Sequence, residues 1–137
     1  EILSISSVAK AIKINNDVIL TGSLIDKFTN HGIVSILYGE MIDDIRIDIK
    51  VWVMSCRVFS RTLEYAMFEH FLNECKKFRI KKITAMYRHT EKNNNYLDLY
   101  KNLGFKLKDQ NKKDLFWELD LNNEIKLNKH AIKVNHE

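Results

Sequence analysis

Ile45, Ile47, Ile49 and Val51 alternate with Arg46, Asp48, Lys50 and Trp52. A period of two marks a β-strand with one face turned to a core. The apolar run continues to Met54 and then breaks into Ser55-Cys56-Arg57-Val58-Phe59-Ser60-Arg61. From there the period changes. Leu63, Met67, Phe71, Cys75 and Phe78 repeat at helical spacing and predict a helix from about Thr62 to Phe78. Upstream, Val18 to Phe28 reads as a strand with Gly22 as a bulge, Thr29 to Gly32 as a turn, and Ile33 to Gly39 as a second strand. Met41 to Asp44 is the next turn. Downstream, Lys81 to Tyr87 reads as a strand with Ile83 and Ala85 on one side, and His89 to Asn93 as a polar loop. Tyr96, Leu99, Tyr100 and Leu103 repeat at i, i+3, i+4 and i+7, which predicts a helix over about Asn94 to Leu103, stopped by Gly104. Phe105 begins a further strand and Leu115 to Leu121 supplies the last.

The predicted order is β-β-β-α-β-α-β-β, an α+β class with a mixed, mostly antiparallel sheet flanked by helices. Val8, Ala11, Ile12 and Ile14 leave residues 1–16 open between a short helix and an edge strand. A single domain is expected over 1–121. Residues 122–137, rich in Lys, Asn and His, read as a polar tail or a minor add-on. No internal repeat shows. With no proline in the chain, other residues must make its helix stops and turns.

Composition narrows the function classes. The 137 residues suit one compact domain, and 45% of them are hydrophobic, enough to form a core. The chain opens on Glu1, which suggests a piece cut from a longer polypeptide. A net charge of +4, from 22 basic and 18 acidic residues, lacks the dense basic stripe of a dedicated nucleic-acid binder. The two cysteines, Cys56 and Cys75, form no disulfide framework or zinc set, and no metal is expected. The sequence contains no apolar run long enough to span a membrane and no signal-peptide pattern, so the expected setting is cytoplasmic.

The junction after Met54 carries the chemistry. A strand that turns abruptly into a helix exposes backbone N–H groups with no partner inside that helix. Those donors and the helix dipole suit an anion, above all a phosphate. Arg57 and Arg61 flank the turn and add charge, unless they are ordinary surface cations. Cys56, beside an arginine and before a helix N-terminus, is either a nucleophile of lowered pKa or a small packed hydrophobe. His31 is either a base or an exposed turn residue.

The order of elements, with Tyr100-Lys101-Asn102-Leu103-Gly104-Phe105 closing the second helix, resembles the GNAT acyltransferase superfamily. Asp26 to Val34, Ser55 to Glu64, and Lys92-Asn93 before Tyr100 look like the C-terminal GNAT-like domain of FkbH-like proteins. Those proteins join a HAD-type phosphatase to this domain and make glyceryl-type acyl thioesters on acyl carrier proteins for polyketide and related pathways. The match covers residues 18–121. It implies that the first GNAT strand and helix are missing or incomplete, and that a HAD-type domain lies upstream in the same polypeptide.

The resemblance implies a fissure between the strand at Val51 to Met54 and the next one at Ile83 to Tyr87, admitting the pantetheine arm of coenzyme A or of an acyl carrier protein. It puts the backbone of Arg57, Val58, Ser60, Arg61 and Thr62 on the phosphates, and Asn93 near the arm unless Asn93 only caps its helix. It puts Tyr100 near the sulfur, where the hydroxyl can protonate a leaving thiolate. The helical spacing equally allows Tyr100 to be a core residue. His89 is a candidate base. Two departures stand out. Ser60 and Thr62 occupy positions where the family carries glycine, which narrows the approach to a pyrophosphate. Met86 stands where the FkbH-like pattern places an acidic residue. Three functions follow: acyl transfer on a phosphopantetheine thiol, a non-catalytic carrier-docking platform, or a stand-alone N-acetyltransferase using acetyl-coenzyme A. The last requires an acidic pocket, for which Asp43, Asp44 and Asp48 are available on a mostly solvated strand face.

Overall fold

A computed structural model describes residues 2–7, 17–25, 30–55, 63–88, 98–122, 125 and 133–136. The strands are β1 (Ile2–Ser7), β2 (Val18–Ile25), β3 (Asn30–Met41), β4 (Arg46–Met54), β5 (Lys82–Arg88), β6 (Lys106–Asn111), β7 (Asp114–Asp120) and β8 (Lys133–His136). Helix α1 (Leu63–Lys77) joins β4 to β5, and the short α2 (Leu99–Asn102) precedes β6. They form one sheet in the order β6-β7-β5-β4-β3-β2-β1-β8. Two pairings are parallel, β4 with β5 and β1 with β8, and the other five are antiparallel. The α+β class and the mixed, mostly antiparallel sheet agree with the sequence reading.

Its ends differ from that reading. Residues 2–7 form a strand, and it is interior, because β8 pairs along its far side. The segment read as a polar tail therefore contributes a strand of its own. β8 (Lys-Val-Asn-His) carries a single apolar residue, Val134, so no period of two marked it. Val8, Ala11, Ile12 and Ile14 lie outside the described residues.

A bulge decides the geometry of β4. Tyr38 pairs with Val51 and Gly39 with Ile49, so Lys50 has no partner across the ladder. One extra residue inverts the side-chain alternation. Ile47 and Ile49 face the core before the bulge, and Trp52 and Met54 face it afterwards. The expected alternation through Val51 therefore fails. Val51 turns to the open face, and Trp52 turns inward. Gly39, opposite the bulge, has no side chain for a reason. A Cβ there would sit 2.7 Å from the ring of Phe71 and 2.8 Å from Ile47.

Helix α1 covers the inner face. Leu63, Met67, Phe71 and Cys75 are buried as their spacing predicts, joined by Ala66, Phe68 and Leu72. Burial raises the Cys75 thiol far above its ordinary pKa, so Cys75 is inert packing. Gly104 takes φ 96° where α2 ends, a conformation that glycine adopts readily. The following Phe105 stays out of β6 and packs inward, its N–H donating to the Tyr100 carbonyl at 2.9 Å.

Glu64 lies in the first turn of α1, where a carboxylate complements the helix dipole. It is buried, and its Oε2 has no hydrogen-bond partner among the described residues. Desolvation raises its pKa. The net direction is upward, so burial outweighs the hydrogen bond from its own backbone N–H, which acts the other way. A folded-state pKa above the unfolded one gives stability that is complete below the unfolded value and lost as pH rises through the folded value. Glu64→Gln is therefore expected to stabilise the protein at pH 7, by less than about 1 kcal/mol because solvent screens part of the charge. The gain vanishes near pH 4. Urea unfolding at both pH values checks this, and equal differences at the two would refute it.

Candidate functional site

The last rungs of the β4–β5 ladder are Asp48 with Thr84 and Ile49 with Ala85. Both strands then continue, β4 to Met54 and β5 to Arg88, without pairing to each other. The Lys50 bulge sits just where they part, and its added twist turns β4 aside. The gap is a cavity of about 470 Å³ lined by Ile49 to Met54, Met86 to Arg88, Leu99 and Tyr100. On β4, the Ser55 N–H donates to the Val34 carbonyl at 2.8 Å, and the Ser35 hydroxyl donates to the Val53 carbonyl at 3.0 Å. Backbone groups alternate sides along a strand, so those of Trp52 and Met54 point away from β3 and into the fissure. An extended ligand there can add to the sheet as another strand would.

The inner wall is aromatic. Trp52 stacks on Phe68 with ring centroids 6.1 Å apart, and Phe68 lies 5.5 Å from Phe105. Tyr100 meets Phe105 edge-on at 5.1 Å and Trp52 at 6.2 Å. This cluster holds the Tyr100 ring rigidly beside the fissure. Tyr100 is 6% exposed, and burial, assisted by the negative charge of Asp48, pushes its pKa far above the ordinary 10.0. Such a phenol keeps its proton and acts as a durable hydrogen-bond donor. Tyr100 is thus a core residue, as its helical spacing allowed, and also a wall of the cavity.

The outer mouth is mixed. Val53 is 53% exposed and Met86 is 49% exposed. Lys50 pairs with Asp48 at 3.0 Å, and Arg88 pairs with Asp114 at 2.8 Å. Asp114 is held below the usual carboxylate range by that arginine.

Of the residues singled out by sequence, the fissure brings together Val53, Met54 and Tyr100. Cys56, Arg57, Val58, Ser60, Arg61, Thr62, His89 and Asn93 lie outside the described residues. Asp43 serves the turn before β4, accepting from Ile45 N–H and pairing with Arg46. Asp48 is partly buried beside the point where the strands part, not on a freely solvated face. The stretches Val51 to Met54 and Ile83 to Tyr87 were expected to bound the gap, and both contribute to its lining; Leu99 was not foreseen as a lining residue. Trp52 was assigned to the wrong face because no sequence signal marked the bulge. Among the described residues there is no cluster of His, Cys, Asp and Glu able to hold a metal, and no helix long and apolar enough to cross a membrane.

Solved structures share this architecture. The PaiA N-acetyltransferase of Thermoplasma acidophilum, solved in complex with coenzyme A, superposes with a TM-score of 0.67 at 13% identity, over 82% of this chain and 65% of that one. The ribosomal-protein-S18-alanine N-acetyltransferase of Escherichia coli gives 0.62 at 14%, over 82% of this chain and 74% of that one. A GNAT family acetyltransferase of Elizabethkingia anophelis with acetyl-CoA bound gives 0.59 at 12%, over 82% and 81%. The chain thus spans just under two thirds of the length of the Thermoplasma protein. No protein-family model matches the chain, and no curated protein does.

Proposed function

From the GNAT acyltransferase fold as premise, we propose that this chain binds a pantetheine thioester in the β4–β5 fissure and transfers its acyl group. One observation carries this reading: the parallel ladder stops at Ile49 and Ala85 while both strands run on, opening a cavity between them beside a rigid tyrosine. The arm lies along Trp52 to Met54, where backbone groups turned away from β3 and apolar side chains match its amides and methylenes. The reacting sulfur lies toward the closed end, where Tyr100 faces the negative field of Asp48. Attack on the thioester carbonyl expels a thiolate, and the Tyr100 hydroxyl donates a hydrogen bond to it as charge develops. Because its pKa is raised, Tyr100 stabilises that charge chiefly as a donor and is a weak acid for complete proton transfer. The acyl carrier is coenzyme A, as found in two of the structural neighbours.

A second reading has support of its own. Among the described residues lining the fissure there is no Asp, Glu or His to act as a base. That favours a docking platform for the phosphopantetheine arm of an acyl carrier protein, with the chemistry done by another domain.

Heat-shift measurements decide between them. Acetyl-coenzyme A is expected to raise the unfolding temperature by several degrees at 100 times its Kd, corresponding to about 2.7 kcal/mol of linkage. A shift with a phosphopantetheinylated carrier protein alone supports the platform. No shift with either compound rules out both readings.

A further inference from the structure

A second cavity of about 390 Å³ is lined by Asp48, Ile49, Lys50, Thr84, Ala85, Met86, Lys108, Phe116, Trp117 and Glu118. It shares Ile49, Lys50 and Met86 with the fissure. The register places Asp48, Thr84, Met86, Phe116 and Glu118 on the sheet face away from α1, since Ile47, Ile83, Ala85 and Trp117 occupy the other. The groove therefore meets the fissure beside the rung where β4 and β5 part, from the side opposite Tyr100.

Its lining carries both signs of charge in close pairs. The Thr84 hydroxyl donates to Asp48 Oδ1 at 2.6 Å, and Lys50 Nζ lies 3.0 Å from Asp48 Oδ2. Lys108 Nζ lies 3.9 Å from Glu118 Oε1, which Lys82 Nζ approaches to 3.3 Å. Beside these pairs stand two apolar side chains, Met86 and Phe116, both substantially exposed. Ion pairs with exposed lysines contribute little and exchange readily. A ligand with one charge would take a partner from one pair and leave its counterion alone. A zwitterion can replace both halves and leaves the net charge of the groove unchanged.

We propose that this groove holds the acyl acceptor, a free α-amino acid with an apolar side chain. The assignment rests on the acyl-transfer reading above. The amino group lies at Asp48 and Thr84, next to the end of the fissure. The carboxylate lies toward Lys50 and Lys108, and the side chain lies on Met86 and Phe116. The ammonium first loses a proton to solvent. Its nitrogen lone pair then attacks the thioester carbonyl carbon. A C–N bond forms, the C–S bond breaks with its electron pair going to sulfur, and a second nitrogen proton ends on the thiolate. The products are an N-acyl amino acid, a free thiol and one proton.

Calorimetric titration of the whole chain with L-phenylalanine, phenethylamine and 3-phenylpropionate tests the assignment. L-phenylalanine is expected to bind at least tenfold tighter than either analogue. Asp48→Asn is expected to weaken L-phenylalanine about tenfold. Lys108→Met is expected to weaken it several-fold and leave phenethylamine unchanged. With acetyl-coenzyme A present, mass spectrometry is expected to find N-acetyl-L-phenylalanine. Equal affinity for the three compounds, or no binding by any, overturns the groove assignment. A protein that is heat-shifted by acetyl-coenzyme A yet indifferent to L-phenylalanine loses the acceptor and keeps the acyl-transfer reading. Amino-acid binding without any thioester shift keeps the groove as an amino-acid site but removes the acyl-transfer reading and with it the acceptor role.

Discussion

Replacing Tyr100 by phenylalanine is expected to lower kcat for acyl transfer about 100-fold while the affinity for acetyl-coenzyme A stays within about twofold. The ring remains, and with it the edge contacts to Phe105 and Trp52 that shape the wall. Only the donor is lost. A donor that meets charge mainly in the transition state shows in kcat and not in ground-state binding. A 100-fold loss corresponds to about 2.7 kcal/mol, within the range for one donor to a developing anion. If Tyr100 were only a core residue, the hydroxyl would be dispensable and kcat would not move. Stopped-flow measurement of thiol release, with the heat shift as binding control, separates these outcomes. The pH profile adds a check. Since burial and Asp48 raise the phenol pKa, Tyr100 keeps its proton past the ordinary phenol value, and no loss of rate near pH 10 should trace to it.

Phe68→Ala is expected to cost about 3–5 kcal/mol of unfolding free energy. Phe68 is almost fully buried and stands between Trp52, Phe71 and Phe105. Truncation leaves a cavity that rigid neighbouring rings cannot fill. The loss is a large share of the 5–15 kcal/mol typical of a small domain, so the variant should be folded at 25 °C with a much lower urea midpoint. Trp52 and Phe105 back Tyr100, so the variant should also lose turnover beyond what partial unfolding explains. A loss below about 1 kcal/mol would mean that the aromatic cluster does not anchor α1 to the sheet.

The elements with a clear period were legible without coordinates. Helix α1 reads off Leu63, Met67, Phe71 and Cys75, because a helix packed on a sheet must keep one apolar face. The stop at Gly104 reads off glycine itself. The parting of β4 from β5 was expected only through the family resemblance, and the ladder register shows it. Asp48 illustrates the limit. As a residue in an alternating strand it looked solvated. In the sheet it is tied to Thr84, thirty-six positions away along the chain.

What the chain determined by itself was therefore local: the periods of strand and helix, the punctuation by glycine, and a tyrosine on an apolar helix face. Local steric and hydrophobic preferences act within a turn or a pleat, so they leave a trace in neighbouring residues. Tertiary structure alone decided which way Trp52 faces, where the β4–β5 ladder ends, and that β8 flanks β1. Each depends on register between distant segments, which a single inserted residue such as Lys50 reverses without leaving any mark in composition or spacing.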